Sequence, residues 1–232
     1  MSITYADIAK SIDHSLLNPA LSQGELEAGC TLAREYEVAT VCVLPYWAAP
    51  AAELLQGSGV LMTSTVGFPH GAQHSKIKLA ETRQLLDEGA RELDMVVNIS
   101  RVKSGDFAFV RSEVQEVLEL THGAGAKLKV IFENCYLNDG EKIRLCEICG
   151  ELGVDWVKTS TGFGSGGSTW HDLELMRRHS PPAVQVKAAG GLRDLDAVLK
   201  ARSLGASRVG SSASAAILDD CRSRLARGER LA

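Results

Sequence analysis

Short apolar runs alternate with longer amphipathic stretches along the whole chain. The longer stretches place apolar residues at helical spacing, most clearly at 72–88, 107–120, 139–152 and 170–178. This alternation is typical of a parallel sheet whose strands are joined by helices. Eight apolar runs are predicted to be strands, at 11–14, 38–43, 60–66, 92–97, 127–132, 155–159, 185–187 and 207–210. Glycines just past helical stretches predict helix ends at Gly89, Gly123, Gly153 and Gly205.

Eight strand–helix units in 232 residues predict an α/β protein with a single (β/α)8 TIM barrel, a fold of about 250 residues in its usual form. An open doubly wound sheet is the alternative. No linker or low-complexity tract divides the chain, so we expect residues 1–232 to form one catalytic domain. A barrel gathers functional side chains at the carboxyl ends of its strands. Polar residues at or near such ends are Asp13, His14, Asp94, Glu133, Lys158 and Lys187.

Composition and charge narrow the class of protein. Hydrophobic residues make up 45% of the chain, which is enough for a substantial core. The net charge of −4 gives no broad attraction to nucleic acid or to an anionic membrane. The chain starts without the basic and apolar segments of a signal peptide, and no apolar run reaches spanning length, so we expect a cytoplasmic protein.

Two patterns that resemble metal or redox sites have simpler explanations. Cys146 and Cys149 form a C-x-x-C inside a helical stretch, with no second pair for zinc, and so predict ordinary helix packing. His70 and His74 have metal-like spacing, but no further ligands adjoin them. We therefore predict loop histidines and no metal site.

Two lysines each close a strand run and are each followed by a turn of small residues. Lys158 stands in Trp-Val-Lys-Thr-Ser-Thr-Gly, and Lys187 stands in Val-Gln-Val-Lys-Ala-Ala-Gly-Gly. Successive strands usually lie side by side, so the two amines are expected to be neighbours. Burial and a second cation both lower the pKa of an amine, and a neutral amine can form a Schiff base with a carbonyl compound. The alternative is that each lysine caps a strand at the surface and pairs with a carboxylate.

Asp94 lies within an apolar strand, where a carboxylate is costly unless it faces a polar interior. In an aldol mechanism it could move protons through a water molecule. A structural buried ion pair is the alternative.

Small-residue turns follow the last three predicted strands, at 161–167, 189–191 and 210–212. In (β/α)8 enzymes such loops commonly bind phosphate through backbone N–H groups, so a phosphorylated substrate is expected. Gly162, Gly164 and Gly167 also satisfy G-x-G-x-x-G, which makes a dinucleotide-binding oxidoreductase a remote alternative. That motif normally opens a βαβ unit, whereas here it follows the sixth strand.

Taken together, the motifs of residues 8–220 resemble the DeoC family of class I aldolases, the deoxyribose-phosphate aldolases. The matching segments, in order, are Ile-Asp-His-Ser-Leu-Leu (12–17), Val-Cys-Val (41–43), Val-Gly-Phe-Pro-His-Gly (66–71), Glu-Leu-Asp-Met-Val-Val-Asn (92–98), Val-Lys-Thr-Ser-Thr-Gly-Phe-Gly (157–164) and Val-Lys-Ala-Ala-Gly-Gly-Leu-Arg (186–193). The resemblance implies reversible cleavage of 2-deoxy-D-ribose 5-phosphate to D-glyceraldehyde 3-phosphate and acetaldehyde. It also implies a (β/α)8 barrel, no cofactor, a cytoplasmic location and often a homodimer.

The resemblance assigns roles to individual residues. It implies that Lys158 forms the Schiff base, that Lys187 lowers the pKa of Lys158, and that Asp94 is the proton-transfer acid and base. Phosphate contacts are implied at Gly162, Gly190, Gly191, Gly210 and Ser212. Substrate hydroxyl contacts are implied at Asp13, Ser15 and Asn18.

The chain departs from the commoner family pattern at several positions. They are Ser15, Asn18, Leu44, Ser100-Arg101 and Ala189. Some family members also use a C-terminal tyrosine in proton transfer, whereas no tyrosine follows Tyr136 in this chain. These departures leave the chemistry unchanged and bear on substrate preference and turnover. A related Schiff-base aldolase acting on another phosphorylated sugar is therefore the alternative function.

Overall fold

The computed structural model describes residues 3–231. Eight parallel strands close into a barrel in sequence order, with β8 paired to β1. The strands are β1 (Ile12–Leu16), β2 (Thr40–Val43), β3 (Leu61–Val66), β4 (Glu92–Val96), β5 (Lys127–Ile131), β6 (Trp156–Lys158), β7 (Gln185–Ala189) and β8 (Ala206–Ser211). The predicted (β/α)8 barrel is confirmed. The open doubly wound sheet is wrong, because an open sheet would leave β1 and β8 as unpaired edges.

Helices alternate with these strands around the barrel. They are α1 (Tyr5–Ala9), α2 (Gln23–Glu35), α3 (Ala48–Leu54), α4 (Ser75–Asp87), α5 (Ile99–Lys103), α6 (Phe107–Gly123), α7 (Asp139–Leu152), α8 (Trp170–His179), α9 (Leu195–Ser203) and α10 (Ser214–Ala226). The four predicted helical stretches are confirmed as α4, α6, α7 and α8. Helix α4 starts three residues later than predicted, after a cap at His74.

The predicted helix ends are confirmed at all four glycines. Gly89, Gly153 and Gly205 all have positive φ just past a helix. Gly123 is instead the last helical residue of α6, and the positive-φ turn falls two residues later, at Gly125. The helix does end at Gly123, but Gly125 and not Gly123 makes the left-handed turn that follows.

The strands present two different faces because successive side chains point to opposite sides. One face is apolar and packs with the helices in a single core. Its members include Ile12, Leu93, Leu128, Val157 and Val186. The other face lines the barrel interior and carries buried charges. Its members include Asp13, Asp94, Lys129, Lys158 and Lys187. The alternation therefore carries charged side chains into the centre of the barrel.

The predicted packing role of the C-x-x-C cysteines is confirmed. Cys146 and Cys149 lie in α7 and are buried in the apolar core. Burial raises the pKa of the Cys146 thiol to about 11, so it stays protonated and unreactive near neutral pH.

No helix within residues 3–231 is both long and apolar enough to cross a lipid bilayer.

Candidate active site

A cavity of about 310 Å³ opens where β1, β6, β7 and β8 end. This is the carboxyl end of the barrel, where (β/α)8 enzymes bind their substrates. Eight of the residues predicted from the sequence line it: Ser15, Asn18, Lys158, Gly162, Gly190, Gly191, Gly210 and Ser212. The fold thus brings together positions that are spread over nearly two hundred residues of sequence.

Lys158 is one of two basic residues that line this cavity, and the other is Arg193. Lys158 ends β6, is 2% exposed, and donates from Nζ to Asp94 Oδ2 at 2.6 Å. Burial is the main influence on its amine and lowers the pKa; the charge of Asp94 opposes the lowering, and the charge of Lys187 adds to it. The net direction is downward. The amine therefore loses its proton more readily than that of a surface lysine.

Lys187 lies directly beside Lys158 in the register of β6 and β7. Its Nζ donates to the same oxygen, Asp94 Oδ2, at 2.7 Å, and also to Asp13 Oδ2. Burial alone would lower the pKa of Lys187, but the two carboxylates outweigh it and raise the pKa. One carboxylate oxygen thus joins two amines whose pKa values are shifted in opposite directions.

Asp94 is fully buried, and its two oxygens serve different partners. Oδ2 accepts from Lys158 and Lys187, while Oδ1 accepts from Lys129 Nζ at 2.8 Å. Burial would raise the pKa of this carboxyl, but the three lysines outweigh it and hold the pKa well below its usual range. Asp94 is therefore an ionised carboxylate that accepts hydrogen bonds from Lys158, Lys187 and Lys129.

The structure places Asp13 beneath the cavity and not in its wall. Its side chain is 0% exposed, and its oxygens are taken by Lys187 and by Arg208 Nη1. These cations outweigh the effect of burial and hold the pKa of Asp13 below its usual range. Asp13 therefore differs from Ser15 and Asn18, which do line the cavity. Its contacts are with the cations that surround Asp94.

Sequence reasoning missed the lower half of this charge cluster. Lys129 forms ion pairs with Glu92 at 2.5 Å and with Asp94, and Arg208 donates to both oxygens of Glu92 at 3.1 Å. A signal was present in the sequence. Glu92 stands two residues before Asp94 in β4, which is the spacing that puts both side chains on one face, and Lys129 lies beside Asp94 in the register of β4 and β5.

The glycine-rich turns present unused backbone donors to the cavity. Within residues 3–231, no group accepts a hydrogen bond from the N–H of Gly162, Gly190, Gly191 or Ser212. Gly167 packs against the second of these turns so closely that an added Cβ would lie 2.4 Å from the carbonyl oxygen of Gly190. Backbone donors converging on one cavity form a suitable cradle for an anion.

The same contacts explain the G-x-G-x-x-G spacing. Gly162 has a φ of 91°, Gly164 packs on Cys135, and Gly167 packs on Gly190. The segment ends in a loop before α8, in a closed barrel and not in the opening turn of a βαβ nucleotide-binding unit. The G-x-G-x-x-G spacing therefore does not support the alternative of a dinucleotide-binding oxidoreductase.

Comparison with known proteins agrees with this geometry. The model of the DeoC/LacD family of aldolases matches residues 8–217. This chain belongs to that family. The chain is 58% identical to the deoxyribose-phosphate aldolase of Rhodopirellula baltica over 95% of this chain and 92% of that one. It is 44% identical to the enzyme of the same name from Thermococcus gammatolerans, over 93% of this chain and 97% of that one.

A solved structure of the family shares the fold closely. The deoxyribose phosphate aldolase of Aeropyrum pernix, described as having a unique tetrameric structure, superposes with a TM-score of 0.87 at 29% identity, covering 95% of this chain and 93% of that one. The agreement extends over nearly the full barrel.

The positions at which this chain departs from the commoner family pattern fall in two groups. Ser15, Asn18 and Ala189 line the cavity. Leu44 lies outside the cavity lining, and Arg101 pairs with Asp106 at 3.1 Å on the protein surface. The first group is therefore placed where it can contact a molecule bound in the cavity.

Proposed function

We propose that this chain is a class I aldolase that reversibly cleaves 2-deoxy-D-ribose 5-phosphate to D-glyceraldehyde 3-phosphate and acetaldehyde. The observation that carries the proposal is the shared contact of Lys158 and Lys187 with Asp94 Oδ2 at the floor of a cavity rimmed by free N–H groups. The names of the relatives from R. baltica and T. gammatolerans support the choice of substrate.

The charge of the buried cluster supports Lys158 as the nucleophile. Its carboxylates are Asp13, Glu92 and Asp94, and its basic groups are Lys129, Lys158, Lys187 and Arg208. If Lys158 is neutral, three negative groups face three positive ones. A net charge in a region of low dielectric constant is costly, so the cluster favours release of one proton. Lys158 releases it most readily, since its pKa is lowered whereas the pKa values of Lys129, Lys187 and Arg208 are raised.

The reaction then follows from the position of each group. The neutral amine of Lys158 attacks C1 of the open-chain sugar to give a carbinolamine. Uptake of one proton from solvent and loss of the C1 hydroxyl as water then leave a protonated Schiff base, and hydrolysis at the end of the cycle returns that proton. This cation accepts the electron pair of the C2–C3 bond as the C3 hydroxyl loses its proton and becomes the aldehyde of glyceraldehyde 3-phosphate. Protonation of the resulting enamine and hydrolysis release acetaldehyde and restore Lys158. We assign the proton transfers to Asp94 acting through a water molecule.

The phosphate contributes binding energy away from the reacting carbons. We assign its contacts to the turns that carry Gly162, Gly190, Gly191, Gly210 and Ser212. Backbone N–H groups suit this task, because they bind an anion without adding a charge that would disturb Lys158. Ser15 and Asn18 are assigned to the sugar hydroxyls. Asp13 is assigned an indirect role, in which it holds Lys187 in its charged form.

Cleavage measured on a panel of sugar phosphates tests the substrate. Deoxyribose 5-phosphate should be cleaved with the highest kcat/KM, and acetaldehyde should be released in equal amount to glyceraldehyde 3-phosphate. The alternative function, an aldolase for another phosphorylated sugar, is favoured by the departures at Ser15, Asn18 and Ala189 in the cavity wall. A higher kcat/KM for another sugar phosphate would select it.

We further propose that the full chain, residues 1–232, acts as one catalytic domain in the cytoplasm, without a metal or organic cofactor, and assembles as a homodimer. The A. pernix relative is described as tetrameric, which makes a tetramer the alternative assembly to test. Sedimentation velocity at micromolar concentration separates a dimer from a tetramer by mass.

A further inference from the structure

Glu133 is a buried residue with an uncommon backbone conformation at the carboxyl end of β5. Its φ is 57° and its ψ is 65°, and Glu37 is the one other non-glycine residue within 3–231 with a positive φ. A residue other than glycine is strained in this conformation, because its Cβ lies close to the backbone. Such a conformation persists where surrounding contacts fix it, so we expect the contacts of the Glu133 side chain to hold the backbone in place.

The Glu133 carboxylate is buried without a cation. The residue is 1% exposed, and none of the ion pairs formed within residues 3–231 includes it. A buried carboxylate is costly unless hydrogen bonds satisfy its oxygens. Here both oxygens are used by one residue. Oε1 accepts from the backbone N–H of Thr161 at 3.1 Å, and Oε2 accepts from the Thr161 hydroxyl.

The chain of hydrogen bonds continues through the loop. The hydroxyl oxygen of Thr161 accepts from the backbone N–H of Phe163 at 3.0 Å. The N–H groups on either side of Gly162 are therefore both occupied. The N–H of Gly162 itself finds no acceptor within residues 3–231, and Gly162 forms part of the cavity wall. The loop also rests on the carboxylate, since an added Cβ at Gly164 would lie 3.2 Å from Glu133 Cδ.

From these contacts we propose that Glu133 is a positioning residue for phosphate recognition. It lies outside the cavity lining and acts through Thr161 to fix the turn whose free N–H, at Gly162, faces the substrate phosphate. This inference rests on the proposed function, because it assigns to Glu133 the selectivity for a phosphorylated over an unphosphorylated sugar. A merely structural carboxylate would affect both sugars alike.

The test compares two substrates in the variant Glu133→Gln. Glutamine keeps the size of the side chain, but its NH₂ group cannot accept the hydrogen bond of the Thr161 hydroxyl. We expect kcat/KM for 2-deoxy-D-ribose 5-phosphate to fall about tenfold, mainly through KM, as for a lost hydrogen bond to a charged group. The kcat/KM for unphosphorylated 2-deoxy-D-ribose should stay within about twofold. Inorganic phosphate should inhibit the variant more weakly than the wild type.

Two further variants distinguish a positioning role of Glu133 from a general loss of protein stability. Glu113→Gln makes the same change at a buried carboxylate outside the barrel, where Glu113 pairs with Lys78 at 2.8 Å. It should lower the melting temperature without changing the ratio of kcat/KM for the two sugars. Thr161→Val removes the hydroxyl that links Glu133 to Phe163 and should lower the ratio as Glu133→Gln does. In the double variant the ratio of kcat/KM for the two sugars should fall no further than in the poorer single variant, because the two substitutions break the same chain of hydrogen bonds.

The outcomes for the proposal and for the proposed function are distinct. An unchanged ratio in both Glu133→Gln and Thr161→Val, with wild-type activity present, would overturn the role of Glu133 alone. An equal loss for both sugars in these variants would also overturn it. If Glu133→Gln fails to fold, Thr161→Val decides between these results. Wild-type protein that cleaves neither sugar would instead remove the proposed function.

Discussion

Replacement of Lys187 by leucine tests the electrostatic coupling on which the proposed chemistry depends. Leucine removes the charge while keeping much of the apolar bulk. The amines of Lys187 and Lys158 both contact Asp94 Oδ2, at 2.7 and 2.6 Å, so they can be no further apart than these two distances laid end to end. At about 5 Å and an effective dielectric constant of about 20, two like charges repel by about 3 kcal/mol.

This repulsion sets the size of the expected effect. About 3 kcal/mol corresponds to about two pKa units, and its loss raises the pKa of Lys158. A lysine is neutral above its pKa, so a higher pKa leaves less nucleophile at neutral pH. We expect the rate of the Lys187→Leu variant near neutrality to fall about a hundredfold and to recover by a large part as the pH rises. The pH of half-maximal rate should move upward.

The assay is the rate of deoxyribose 5-phosphate cleavage as a function of pH, with folding checked by circular dichroism. Lys78→Leu is a matched control, because Lys78 is also fully buried in an ion pair but is a residue of α4 that pairs with Glu113 of α6, outside the charge cluster of Asp94. That variant should lose stability and keep the wild-type pH profile. A folded Lys187→Leu protein with an unshifted profile would refute the coupling, and inactivity of a folded protein at every pH would point to a purely structural role.

Three more results follow from the structure. Dialysis against EDTA should leave the rate unchanged, because a Schiff base supplies the electron sink; a loss restored by a divalent metal would oppose this. Gly167→Ala should raise the KM for the phosphorylated substrate, since its Cβ would lie 2.4 Å from Gly190 O, whereas Gly123→Ala meets no atom within 4 Å and should change nothing. Burial would raise the pKa values of Asp13 and Asp94, but neighbouring cations hold them below the ordinary 3.8. Their stabilisation is therefore fully present above about pH 4 and is lost progressively as the pH falls below that value. The melting temperature should drop as the pH is lowered from about 4 to about 2, and equal values at these two pH values would contradict it.

The sequence was most informative where periodicity and strand ends carried the signal. Eight apolar runs predicted eight strands, and the small residues after Lys158 and Lys187 indicated strand ends opening on a cavity. The adjacency of the two lysines followed from the rule that successive strands lie side by side. All of these features are local, or depend on the order of neighbouring strands, which a single sequence preserves.

Features that depend on depth within the barrel were harder to predict. A motif match placed Asp13 near the substrate, but hydrogen bonds from Lys187 and Arg208 hold its carboxylate below the cavity. The cations Lys129 and Arg208 were missed because their partners lie on other strands. The left-handed conformation of Glu133 is a further example, since contacts with a distant loop hold it. The catalytic roles themselves stay predictions until measured.

Trapping of the covalent intermediate tests the central claim most directly. Wild-type protein is incubated with acetaldehyde and reduced with borohydride, and the modified residue is located by peptide mass spectrometry. We expect one reduced adduct, on Lys158, and neither an adduct nor cleavage in the Lys158→Ala variant. Lys187 should stay unmodified, because its raised pKa keeps it protonated. An adduct on another buried lysine together with retained activity in Lys158→Ala would contradict the assignment of the nucleophile.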